Sequence, residues 1–309
     1  MSLRIAPPIR EALRVGRPVV ALESTVVTHG LPRPKNLALA RRLEEVVREE
    51  GALPATIGVL EGSVVVGLDE AALRALANDP SADKASLWNL AAVVAHGANA
   101  GTTVAATLHA AAQAGIRVFA TGGIGGVHEH PFDESADLRA LARYPVLTVC
   151  AGPKSILDAA ATLERLESLG VPVVGYRSDR LAGFVVREID LPLPARIDTP
   201  EEAARLVRAQ RTLQLDGAVV LSNPVSKGVD PASFTAWLRA AERDLEAQGV
   251  QGRDTTPFLL SRLAELSGGA TLEANLRLLE ENARLAAQVA VGLATEPAAE
   301  TAAGSGGMR

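Results

Sequence analysis

Along this chain, short apolar runs repeatedly break off at a polar or glycine-rich turn and give way to a segment of helical period. Few patterns constrain a fold more, because strands that alternate with helices pair in parallel and take helices over both faces of the sheet. The strand candidates are 18–24, 56–62, 91–97, 116–123, 145–152, 171–176, 183–186 and 217–224. Helical period is expected over 35–51, 68–77, 102–114, 154–169, 200–213, 231–248, 256–266 and 272–292, with a further helix beginning near Ser135. In 35–51, Leu39, Leu43, Val46 and Val47 form one stripe, charges alternate on the other face, and Gly51 ends the run. The expected class is α/β with a mostly parallel central sheet. One domain over 1–292 is the simplest division, followed by a low-complexity tail over 293–309.

In parallel sheets ligands gather at the carboxyl ends of the strands. Glu23, Glu61, His96, Thr121, Lys154 and Asn223 each follow closely on an apolar run, so the pattern predicts that they face one rim. Between Val118 and Asp158 three strand ends carry a glycine-rich "TGGIGGVH", a carboxylate pair in "FDESADL" and the lysine of "VCAGPKSILD". That is the composition of a phosphorylated-carbohydrate site with an amine nucleophile. Each piece also has a plainer use. The glycines suit a tight turn, Lys154 suits an exposed helix start, and Asp133 and Asp137 suit capping of the helix near Ser135. An apolar strand before Lys154 and Pro153 beside it suggest a half-buried amine, and burial favours the neutral form that imine chemistry needs.

Composition narrows the field by exclusion. With 31 basic against 36 acidic side chains in 309 residues and no Lys/Arg block, the chain lacks a nucleic-acid footprint. The five histidines follow no zinc spacing. A lone cysteine, Cys150, precludes an intrachain disulfide, the first twenty residues lack the apolar core of a signal peptide, and no stretch approaches a membrane span. The expected compartment is the cytoplasm.

Taken together, "ALESTVVTHGLPRPKNLALA", "GVLEGSVVVGL", "AHGANAGTTVAATLHAA", "VFATGGIGGVH", "FDESADL", "VCAGPKSILD", "LGVPVVGY" and "TPFLLSRLAELSGGATLEANLRLLEENA" resemble the pseudouridine-5'-phosphate glycosidases, in consistent order from about Pro18 to Ala290. The resemblance implies an α/β/α sandwich, a homotrimer, and reversible cleavage of pseudouridine 5'-phosphate to uracil and ribose 5-phosphate. Because the leaving atom is a carbon, a carboxylate pair alone offers no route. The resemblance supplies an electron sink, with Lys154 attached to C1' of the opened ribose as an imine and Glu23 as the acid/base. It also implies a manganese ion at Asp133, held largely through water, as suits a hard oxygen site. Lys84 matches a phosphate contact, and Val104 a backbone contact at a helix start. Ser135, Ala136 and Asp137 match the substrate loop, while Thr121, His128 and Asn275 match positions around the uracil or ribose. A related lyase or glycosidase on another C-nucleoside or sugar phosphate, and a non-catalytic ligand-binding relative, are the alternative readings. Two departures stand out. After Lys84 the chain has "ASLWNLA" where the family carries arginines, and a shortened loop before Asp133 brings in Glu134.

Overall fold

A computed structural model describes residues 3–128, 133–250 and 255–295 of the protein. Its strands are β1 (Leu3–Ile5), β2 (Val19–Leu22), β3 (Leu53–Leu60), β4 (Ser63–Val66), β5 (Asp83–Ala85), β6 (Ala100–Thr102), β7 (Val118–Ala120), β8 (Leu147–Cys150), β9 (Val173–Tyr176), β10 (Arg180–Gly183), β11 (Val186–Pro192), β12 (Ala195–Ile197) and β13 (Val220–Ser222). The helices are α1 (Pro7–Arg14), α2 (Lys35–Glu49), α3 (Glu70–Asn78), α4 (Leu90–Ala95), α5 (Val104–Ala114), α6 (Ala136–Arg143), α7 (Ala159–Ser168), α8 (Pro200–Thr212), α9 (Pro231–Gln248), α10 (Thr255–Leu266) and α11 (Ala270–Thr295). One large sheet runs β1-β4-β3-β2-β7-β8-β13-β9-β12, with β6 and β5 branching from β3. Every pair from β3 through β12 along that path is parallel, whereas β4 and β6 meet β3 antiparallel. A separate antiparallel hairpin joins β10 to β11.

The alternation of side chains along each strand divides the core into two layers. Val20 and Leu22 of β2, Val118 and Ala120 of β7, and Leu147 and Val149 of β8 pack against α2, α8, α9, α10 and α11 on one face. Val19, Ala21, Phe119 and Val220 pack against α1, α5 and α6 on the other. The result is an α/β/α sandwich, and burial on both faces explains why its strands read as continuous apolar runs.

Three expected elements differ. The run 91–97 is not a strand. Leu90 and Val93 are buried three apart while Ala91 and Ala92 are exposed, which is helical spacing, and α4 forms there. The 183–186 strand is interrupted because Phe184 takes a φ of 63°, turning the chain between β10 and β11. The helix expected from 154 begins at Ala159, where the Asp158 side chain accepts the Ala161 N–H as its N-cap. That leaves Lys154 on a loop. At the chain end α11 reaches Thr295, and the remainder of the expected tail lies outside the described residues.

Candidate active site

The chain leaves β2 toward β3 on one side and later enters β7 on the other, so the sheet's order reverses between β2 and β7. A crevice opens beyond the strand ends at such a point. Glu23 follows β2 and Thr121 follows β7. Leu22 lies beside Ala120 and Ala120 beside Val149, so these ends are level and the β8 end adjoins them. The Thr121 hydroxyl donates to the Glu23 carboxylate. Beyond Glu23 the buried Ser24 hydroxyl donates to the Ile57 carbonyl at 2.6 Å and accepts the Thr102 N–H at 3.0 Å. The chain then turns through a π-helical segment, Val26–Gly30, a geometry concentrated at functional sites.

The glycine-rich turn and the lysine loop are laced together by the main chain. Ala151 N–H donates to Gly122 O, Ile124 N–H to Gly152 O and Lys154 N–H to Ile124 O, at 2.9–3.1 Å. Phe184 N–H donates to Ala151 O. Its ring packs so tightly on Gly123 that a Cβ there would lie 2.7 Å from it, which is why the position is glycine. Behind the turn, fully buried Asn282 of α11 donates to the Thr121 carbonyl at 2.8 Å and accepts from Asn223 at 3.0 Å. Asn223 follows β13, and its own N–H donates to Cys150 O. A buried network in which every member has a partner fixes geometry more firmly than a lone contact. Sequence reading missed Asn282, although a lone asparagine among Leu278, Leu279, Ala283 and Ala286 on a core-facing stripe was the available signal.

Glu23, Lys154, Lys84, Asn275 and Thr25 line one small cavity of about 80 Å³, with Gly122 and Gly123 in its wall. The surrounding protein desolvates Glu23 and raises its pKa above the ordinary carboxylate range, against the opposing pull of the Lys154 charge and the Thr121 hydroxyl. A carboxyl group whose pKa is raised beside an amine is equipped to move hydrogens during covalent chemistry at that amine. Cys150 is inert by comparison, since complete burial pushes its thiol up to about 12.

The remaining candidates fall into different places. Asp137 is buried, and its carboxylate accepts the N–H groups of Ala105 at 2.9 Å and Gly125 at 2.8 Å. It pins the start of α5 to the glycine turn. Ser135 caps α6, Ala136 begins it, and Val104 begins α5 with its side chain in the core. His128 is half-buried and its N–H donates to the Asp133 carbonyl, while Asp133 itself is exposed. Glu134 pairs with Arg165 at 3.1 Å. Two of the expected rim residues go elsewhere. Because Leu22 pairs with Thr56, Glu61 lies five residues farther along β3, roughly 16 Å beyond the level of the site, in a hairpin turn with φ 48°. His96 caps α4 and is exposed.

Comparison with known proteins gives consistent matches. The family model described as indigoidine synthase A like protein matches residues 8–292. The pseudouridine-5'-phosphate glycosidase of Thermus thermophilus is 58% identical over 277 residues, which cover 90% of this chain and 98% of that protein. That of Saccharopolyspora erythraea is 50% identical, covering 94% and 97%. Among solved structures, the prealnumycin C-glycosynthase AlnA in complex with ribulose 5-phosphate is 39% identical with a TM-score of 0.87, covering 95% of this chain and 97% of that one. An indigoidine synthase A-like protein from Thermotoga maritima is 38% identical at the same TM-score and coverage.

Proposed function

Because this chain belongs to the pseudouridine-5'-phosphate glycosidases, within the indigoidine synthase A like family, we propose that it works through Lys154 and Glu23. The enzyme reversibly cleaves pseudouridine 5'-phosphate, with water, to uracil and ribose 5-phosphate. The observation that carries the residue assignment is one cavity lined by both the Lys154 amine and the Glu23 carboxyl group, with burial pushing the Glu23 pKa up. Lys154 Nζ bonds to C1' as the C1'–O4' bond breaks, and a proton passes from the amine to the 4'-oxygen, which opens the ribose. Glu23 gives its proton to C5 of uracil as the C1'–C5 bond breaks, and the electron pair on the lysine nitrogen forms an iminium at C1'. Water adds at C1', the C–N bond breaks, and ribose 5-phosphate leaves with Lys154 restored.

In this reading Thr121 orients Glu23, Lys84 meets the phosphate, and Asn275 lies against the sugar or base, all three groups being at the cavity or bonded to its residues. A manganese ion would have Asp133 as its carboxylate. Glu134 is engaged with Arg165, and no group of three His, Cys, Asp or Glu gathers among the described residues. That donor set fits a hard cation that keeps most of its water and does not fit a closed cage. When bound, the ion would supply positive charge beside the substrate loop. We also propose a homotrimer in the cytoplasm. No helix among the described residues is long and apolar enough to cross a membrane.

Borohydride reduction during incubation with ribose 5-phosphate, followed by peptide mass mapping, tests the chemistry. The expected result is a pentose phosphate adduct on Lys154. An unmodified Lys154 alongside active turnover would remove it from the mechanism. Equilibrium sedimentation with and without manganese tests the assembly.

A further inference from the structure

At the opposite end of the sheet from the candidate active site, β2 and β7 begin beside a separate cavity of about 320 Å³. Leu13 of α1, Val19 and α11 residues Ala290 and Leu293 contribute apolar wall; Arg17 and Arg117 are the charged residues lining it, and no carboxylate does. Because Val20 pairs with Val118, Arg117 is level with Val19 and the two arginines reach the cavity from the starts of adjacent strands. Arg117 precedes Thr121 by four residues along β7, roughly 13 Å. Other arginines on the same helices have partners: Arg14 of α1 pairs with Glu11 at 2.7 Å, and Arg284 of α11 with Glu49 at 3.3 Å. Arg17 and Arg117 make no ion pair and no side-chain hydrogen bond to a described residue. They therefore do not serve the carbonyls at the ends of α1 and α5, the ordinary use of an arginine beside a helix C-terminus. Arg211, in the last turn of α8, adds a third positive charge without a carboxylate partner among the described residues. The protein packed around Arg211 lowers its pKa, and the Arg117 charge lowers it further. Like charges gathered in this way repel one another, and a bound anion removes that cost.

We propose that this cavity is a second phosphate site, in which Arg17 and Arg117 hold the phosphate group, Arg211 adds positive charge, and the apolar wall takes the body of a phosphate ester. Guanidinium forks match phosphate oxygens bidentately, and a phosphate charge of about −1.5 to −2 balances two arginines. The site shares no residue with the cavity of Lys84 and Lys154, so the inference stands apart from the reaction proposed above.

The test is equilibrium dialysis of the full-length protein against phenyl phosphate and against inorganic phosphate, in a Lys84→Gln background that removes the phosphate contact proposed for the active site. The expected result is about one phenyl phosphate bound per chain, weakened about tenfold or more when Arg117→Gln is added. Arg17→Gln serves if Arg117→Gln misfolds. Tighter binding of phenyl phosphate than of inorganic phosphate identifies an ester as the ligand, equal binding identifies free phosphate, and either result supports the site. No binding up to about 10 mM, or binding that neither arginine substitution weakens, would overturn it. So would a changed sedimentation coefficient in Arg117→Gln, which would put these arginines at a contact between copies of the chain. With Lys84 intact, Arg117→Gln should leave the KM for pseudouridine 5'-phosphate unchanged. A rise in KM that matched the loss of phenyl phosphate binding would mean that both report on the active site, and would also count against the proposal.

Discussion

Removing one hydroxyl should move the pH profile of the reaction. In Thr121→Val the side chain keeps its shape and the main-chain bonds to Val149 and Asn282 remain, but the donor to Glu23 is lost. That bond favours the carboxylate and so opposes the burial that holds the Glu23 pKa up. A hydrogen bond to a charged group contributes about 1.5–3 kcal/mol, and 1.36 kcal/mol corresponds to about one pKa unit. Water at the cavity mouth weakens the full effect, so we expect an upward shift of about one unit. Glu23 acts as an acid in cleavage, and the rate falls as pH rises through its pKa. The alkaline limb of kcat should therefore move to higher pH by that amount. Initial rates of pseudouridine 5'-phosphate cleavage from pH 5 to 10 for wild type, Thr121→Val and Thr121→Ser measure it. Thr121→Ser retains the hydroxyl and should track wild type. Coincident limbs for all three proteins, or equal shifts in both variants, would refute the reasoning.

Other outcomes follow from the same geometry. Between the ordinary glutamate value and its raised one, Glu23 keeps in the folded state a proton that the unfolded chain has released, so its contribution to stability falls as pH rises through that window. Glu23→Gln should thus abolish turnover yet melt progressively higher than wild type between pH 5 and 8, and a constant difference in Tm would contradict this. Gly123→Ala forces a methyl against the Phe184 ring and the Gly152 carbonyl, and should cost about 1–3 kcal/mol by overpacking, seen as a lower denaturation midpoint and slower turnover. Asn282→Leu leaves Asn223 without its side-chain acceptor and the Thr121 carbonyl without that donor. The expected result is a loss in kcat larger than any rise in KM, with ribose 5-phosphate still trapped on Lys154. Loss of trapping in a folded Asn282→Leu protein would show that Asn282 acts on the lysine instead.

Much of this protein was legible in its sequence because two of its signals are local. Apolar runs with level burial on both faces mark parallel strands, and the stripe of Leu39, Leu43, Val46 and Val47 marks a covering helix. Short runs were where that reading slipped. Six residues of Leu, Ala and Val at α4 satisfy strand and helix equally, and only the burial of Leu90 and Val93 decides. The turn at Phe184 was illegible for another reason, since a phenylalanine at positive φ is held there by packing on Gly123 and by its bond to Ala151.

For the site, sequence order alone put Glu23, Thr121 and Lys154 at the ends of β2, β7 and β8, and parallel pairing makes those ends neighbours. It could not place Glu61, because the level at which a strand end lies depends on register, and register is a property of the paired sheet. Nor could it give Asn282 a task, since its partners Asn223, Gly122 and Thr121 lie 59, 160 and 161 residues away along the chain and meet it only when α11 packs across the sheet. Residue type and local period set which groups stand at strand ends; long-range pairing and packing decided which of them face one another, and how much room was left beside them.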